Sequence, residues 1–117
     1  MNSVTIVDAT LIVEPRGLDK LWSFTRRLEI PLAYVRGATH DPGASKEPKG
    51  IRAPGLGLPG KTAGTFHRDG VKTFYNVTGT ADTIVIELEQ QEYQRLVLTV
   101  EDPRAVVQSV NNAAAAA

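Results

Sequence analysis

Residues 95–113, RLVLTVEDPRAVVQSVNNA, change their hydrophobic period once. From Arg95 to Glu101 the apolar Leu96, Leu98 and Val100 alternate with Val97, Thr99 and Glu101, the two-residue period of a strand. Asp102-Pro103 then supplies an N-cap residue and a proline for the first helical position, and Ala105, Val106, Val107, Val110 and Ala113 recur at helical spacing. One amphipathic helix therefore ends a chain whose other apolar positions mostly alternate by two, and it can bury its stripe only by plugging the open end of a curled sheet. The expected class is mainly β: a seven-stranded antiparallel curled sheet or barrel capped by one C-terminal helix.

Working outward from that stretch, Thr83 to Glu89 alternates in the same way. Asp69-Gly70 stands between the alternating stretches Ala63 to Arg68 and Val71 to Val77 and is the sharpest hairpin signal in the chain. Residues 4–14 read as one long first strand, ended by Pro15-Arg16-Gly17, and Leu18 to Leu28 as a second, with Trp22 and Phe24 on one face. Leu32 to Gly37 reads as a short third strand, with Pro31 confined to its first position because it cannot donate to a ladder. Residues 41–60 hold four prolines and five glycines, which predicts a long loop, spanning about 38–62, with neither helix nor regular strand. Loops of such length inside a compact domain are usually functional or disordered.

In this order and spacing the chain resembles the pleckstrin-homology (PH)-like superfold, and more closely the short single-domain bacterial PH proteins. The segments carrying the resemblance are Arg16-Gly17-Leu18-Asp19-Lys20-Leu21-Trp22, Ile30-Pro31-Leu32-Ala33-Tyr34-Val35-Arg36-Gly37, Arg52-Ala53-Pro54-Gly55 with Pro59-Gly60, Ala63-Gly64-Thr65-Phe66, and the last strand entering Glu101-Asp102-Pro103. The resemblance implies a binding scaffold more than a named reaction. PH domains that bind phosphoinositides use several cations between their first two strands. Here that turn offers only Arg16 and Lys20 around Gly17. The other mode of such folds adds an extended peptide to a strand edge beside the C-terminal helix.

A chain of 117 residues has room for one domain, residues 1–117, around one core. Thirteen Lys or Arg balance thirteen Asp or Glu, which argues against nucleic acid as a partner. The absence of cysteine excludes a disulfide framework, a thiolate nucleophile and Cys-based metal sites. No stretch approaches a signal peptide or a membrane span, so the chain is read as cytoplasmic. Charge is nonetheless polarised. Between Arg16 and Lys72 eleven Lys or Arg meet five Asp or Glu, whereas from Thr73 onward two meet six. Such asymmetry can present a focused positive surface at zero net charge.

Three motifs invite chemistry and are discounted. Gly55-Leu56-Gly57-Leu58-Pro59-Gly60-Lys61-Thr62 spells a phosphate-binding loop, but that chemistry needs a preceding strand and a following helix N-terminus, and neither flank reads that way. His40 and His67 lie 27 positions apart with no second ligand at close spacing, so no metal is expected. Glu87, Glu89 and Glu92 read as a solvated face rather than an acid–base pair. No catalytic residue and no cofactor are expected.

The reading is a non-enzymatic module whose partner is a protein or peptide segment; its oligomeric state is left open. The alternative is a reader of an anionic membrane surface or ligand, which would place it at the inner membrane face. The ligand-binding residues expected are Arg36, Arg52 and Lys61, converging at the mouth of the long loop, with Arg16, Lys20, Lys49, Leu56 and Leu58 as weaker candidates.

Overall fold

The computed structural model describes residues 2–15, 27–43, 51–58, 61–78 and 82–117, with backbone alone for 51–58 and 61–63. The first strand of the sequence reading is two. It breaks at Asp8-Ala9 into β1 (Asn2–Val7) and β2 (Thr10–Pro15), which pair antiparallel with Val7 opposite Thr10. Both turn residues have positive φ, 49° and 61°. That is the mirror-image turn whose twist suits a two-residue hairpin, here made without glycine. β3 (Leu28–Pro31) adds to β2 and completes a three-stranded sheet. Most of the expected second strand, 18–26, lies outside the described residues.

Leu32–Tyr34 forms a single 3-10 turn rather than the start of a strand, and β4 follows at Val35–His40. Pro31 ends β3 instead of opening its successor. In both places the proline marks a strand boundary on an edge, where its missing N–H costs no ladder bond.

The stretch expected to be irregular contains a strand. β5 (Ile51–Leu58) pairs with β6 (Lys61–Arg68) along a ladder whose register shifts between Arg52 and Gly55. Pro54 lies inside that irregularity, and β5 is an edge strand, the setting in which a proline is tolerated. The Asp69-Gly70 turn joins β6 to β7 (Val71–Thr78) as expected, with φ of 52° and 79°. β8 (Thr83–Leu88) and β9 (Arg95–Thr99) also form where alternation places them.

Nine strands thus stand among the described residues, in two sheets that do not close into a barrel. The larger has the order β4-β8-β9-β7-β6-β5. Its pairing is not wholly antiparallel: β9 enters between β8 and β7 and runs parallel to β7, with Thr73 opposite Arg95 and Asn76 opposite Leu98. The smaller sheet packs over one face of the larger. Leu11, Val13, Ile30, Phe74, Ile84, Ile86, Leu96 and Leu98 meet there in the main core, and a second cluster on the opposite face gathers Phe66, Tyr75, Val77, Val85 and Val97.

Helix α1 (Pro103–Ala116) lies against this core through Val106, Val107, Val110, Ala113 and Ala114. Pro103 occupies the first turn as expected. Asp102 takes the cap position in a left-handed conformation, and its side chain makes no capping bond; its carbonyl accepts from Val106 N–H at 3.1 Å. The helix packs chiefly on β4. Asn111 fixes it there, its Oδ1 accepting from Ala38 N–H at 2.8 Å and its Nδ2 donating to Ala38 C=O at 2.9 Å. One side-chain amide therefore occupies both groups that this edge residue turns away from its sheet.

Candidate functional site

β3 and the connection from β8 to β9 enclose a cleft of about 140 Å³, lined by Leu28, Glu29, Ile30, Leu88, Gln91, Glu92 and Tyr93. Its floor is apolar, since Ile30 and Leu88 are buried and Leu28 and Tyr93 are half-buried. Its rim carries two carboxylates and an amide, and no cation is among its lining residues within the described part of the chain.

The rim is held in place. Glu89 N–H donates to Tyr34 C=O, Leu88 N–H to Gln94 C=O and Gln94 N–H to Lys72 C=O, each at 2.9 Å, which anchors both ends of the connection to neighbouring elements. Gln94 Oε1 accepts from Lys72 N–H at 2.6 Å. The Tyr93 ring packs against Phe74 at 5.5 Å between centroids, and its hydroxyl lies 3.3 Å from Thr65 Oγ1. Lys72 Nζ donates to Glu92 Oε1 at 2.7 Å and stands 5.3 Å from the centre of the Tyr93 ring. The bond to Glu92 raises the ammonium's pKa above its usual 10.5, because it favours the charged form. At the other wall, Arg27 Nε sits 3.7 Å from Glu29, an exposed contact of small energetic weight.

The cations expected to converge are differently placed. Arg36 is exposed on β4, and the backbones of Arg52 and Lys61 are on β5 and β6. β4 and β5 are the two outer strands of the six-stranded sheet, with four strands between them in the order. Arg52 pairs with Phe66, far along the hairpin from the Leu58–Lys61 end. In this order Arg36 neighbours neither Arg52 nor Lys61, and whether the three side chains converge lies outside the described residues. The side chains of Arg52 and Lys61, like those of Leu56 and Leu58, lie outside the described residues, as do Arg16, Lys20 and Lys49 entirely.

Other motifs resolve simply. Gly55 to Leu58 runs in β5, and Lys61 and Thr62 begin β6, so no helix N-terminus follows the glycines as phosphate binding would need. His40 and His67 sit on β4 and β6 with three strands between them. Among the described residues no three His, Asp or Glu side chains gather in a way that could hold a metal. Glu87 and Glu89 are exposed, whereas Glu92 belongs to the cleft. Sequence reasoning missed the cleft because its residues come from two distant stretches; only the alternation that turns Leu28, Ile30 and Leu88 inward was visible beforehand.

A mainly β scaffold with a C-terminal helix seated on a strand edge is the architecture of PH-like domains, which in general are binding modules. Comparison of the sequence with family models agrees: residues 10–114 of the 117 match the bacterial PH domain model, and the chain belongs to that family. Neither the curated proteins nor the solved structures gave a match. Among the described residues no helix is long and apolar enough to cross a membrane.

Proposed function

We propose that the chain is a non-enzymatic module that binds a segment of another protein, taking an apolar side chain of that segment into the cleft between β3 and the β8–β9 connection. The single observation supporting this is the cleft itself, with an apolar floor, a rim fixed by backbone bonds, and a volume suited to one side chain. Preformed walls reduce the ordering that binding must otherwise impose. Glu29 and Glu92 on the rim stand beside Arg27 and Lys72, so selection rests on the apolar floor rather than on net charge.

Selection of displayed random peptides against the protein tests the reading. Enrichment should converge on one apolar residue, and the enriched peptide should lose affinity at least about tenfold for Leu28→Glu or Gln91→Trp, which charge or fill the cleft. An unenriched library, or equal binding by both variants, would overturn it. Salt-sensitive sedimentation with acidic vesicles in place of peptide binding would instead favour the membrane-surface alternative.

A further inference from the structure

Among the described residues the two sheets leave four outer strands, and three of them carry features that oppose pairing with a foreign strand. On β4, Asn111 already occupies the N–H and C=O of Ala38. β5 carries Pro54 and a register shift. On β3, the bond from Leu32 N–H to Ala9 C=O fixes the alternation, so that Leu28 and Ile30 turn their peptide groups toward β2 while Glu29 and Pro31 turn theirs outward. The outward row of β3 thus meets a charged residue and then a proline with no donor, both known guards of an edge.

β1 carries no such guard. From Asn2 to Val7 it reads Asn-Ser-Val-Thr-Ile-Val, without charge or proline. The two-residue turn makes Val7 and Thr10 the closing hydrogen-bonded pair, so Ser3 and Thr5 bond to β2 and Val4 and Ile6 present N–H and C=O outward. Asn2, the remaining outward residue, forms a parallel bridge with Val100. Val4 and Ile6 stay partly exposed, although Leu11 and Val13 beside them on the same face are 0% exposed. Val7, at 51%, is the one large hydrophobic exposed among the described residues.

We propose that β1 pairs antiparallel with β1 of a second copy of this chain, about a two-fold axis at Thr5. The register follows from counting outward groups. With Val4 opposite Ile6 of the partner subunit, both residues of each copy use N–H and C=O, and four main-chain bonds form. A shift of one pairing step either way sets Val4 or Ile6 against Asn2, which is already bridged, or against Asp8 in the turn, and halves that number. Thr5 then faces Thr5 of the partner subunit in a close, non-hydrogen-bonded pair, which favours threonine. A second copy is the occupant because β1 is itself the uncharged, β-branched strand that such an edge accepts, and because zero net charge leaves no long-range repulsion between copies. The cleft lies at the opposite edge of the small sheet and stays open in this dimer, so the two proposals fail independently.

Sedimentation velocity over a concentration series tests the pairing with wild type, Thr5→Lys, Thr5→Glu and an equimolar mixture of the two variants. The wild type should show a concentration-dependent dimer. Each variant alone should weaken it roughly tenfold or more, because like charges meet at the axis, and the mixture should restore it. Circular dichroism identifies a variant that fails to fold, and slower exchange of the Val4 and Ile6 amides on concentrating the wild type gives a readout free of substitution. A wild type that stays monomeric, or a Thr5→Lys dimer of unchanged strength, overturns the proposal.

Discussion

Asn2 and Asn76, 74 positions apart, lock their side-chain amides together in the buried seam between the two sheets. Asn76 Nδ2 donates to Asn2 Oδ1 at 2.8 Å, and Asn2 Nδ2 donates to the carbonyls of Asn76 and Thr99 at 3.0 and 2.9 Å. Both polar atoms of the Asn2 amide thus have partners, Oδ1 on the Asn76 side chain and Nδ2 on the β7 and β9 backbones. Asn76 is itself buried, at 1% exposed.

Asn2→Ala leaves two buried carbonyls and the Asn76 amide short of partners. The expected loss is about 3 kcal/mol, since an unsatisfied buried polar group costs about 1–3 kcal/mol. Urea denaturation at constant m-value measures it. A loss below that of an exposed-site control would show that water replaces the amide.

Asn111→Ala should cost about 1–2 kcal/mol through its two bonds to Ala38. The more specific outcome is faster hydrogen exchange at the Ala38 amide, with amides on β9 slowed or quickened only by the global change. Gly37→Ala tests the same contact from the other side, because a Cβ there would stand 3.3 Å from Asn111 Oδ1 and press on the amide that holds the helix.

The two tight turns predict opposite signs. Ala9 sits at φ 61°, which an L side chain adopts at a cost of roughly 1 kcal/mol, so Ala9→Gly should stabilise and raise the melting temperature by about 4 °C. Gly70 at φ 79° already has the residue its geometry wants. Gly70→Ala should therefore destabilise by about 1 kcal/mol although its Cβ would meet nothing within 4 Å. Thermal unfolding of both variants in one buffer decides the matter.

The Lys72–Glu92 pair sets a pH window. The folded-state pKa of Lys72 is raised by Glu92, so the stabilisation is fully present below the unfolded value, near 10.5, and is lost as pH rises through the higher folded value. The stability difference between wild type and Glu92→Gln should accordingly be flat around neutrality and shrink above pH 10.5. Titration of the Lys72 side chain by NMR should show its midpoint fall in the variant.

Much of the fold was legible wherever one residue type had one conformational meaning. Asp69-Gly70 marks its hairpin because glycine admits positive φ, and Asp102-Pro103 marks the helix start because proline is preset for the first turn. Asp8-Ala9 makes the same turn as Asp69-Gly70 but carries no glycine, so unbroken alternation ran two strands together. β5 was hidden for the converse reason: its Gly and Pro suit a bulged edge as well as a loop. The parallel β7–β9 pair leaves no local mark, since alternation is identical for either direction. Arg36 was legible as an exposed cation, but convergence with Arg52 and Lys61 depended on strand order, which spacing along a chain does not encode.

The insertion of β9 bears on how the chain is made. Arg95–Thr99 follows both of its neighbours along the chain, yet it occupies an interior place, with β8 on one side and β7 on the other. A nascent chain halted before Arg95 holds β8 and β7 with a vacant slot between them, each offering a bare apolar edge. Assembly of the six-stranded sheet must then wait until β9 itself is made, and the interval with such edges open is when strands of neighbouring nascent chains can cross-pair. Translation pauses within the β8–β9 connection would lengthen that interval.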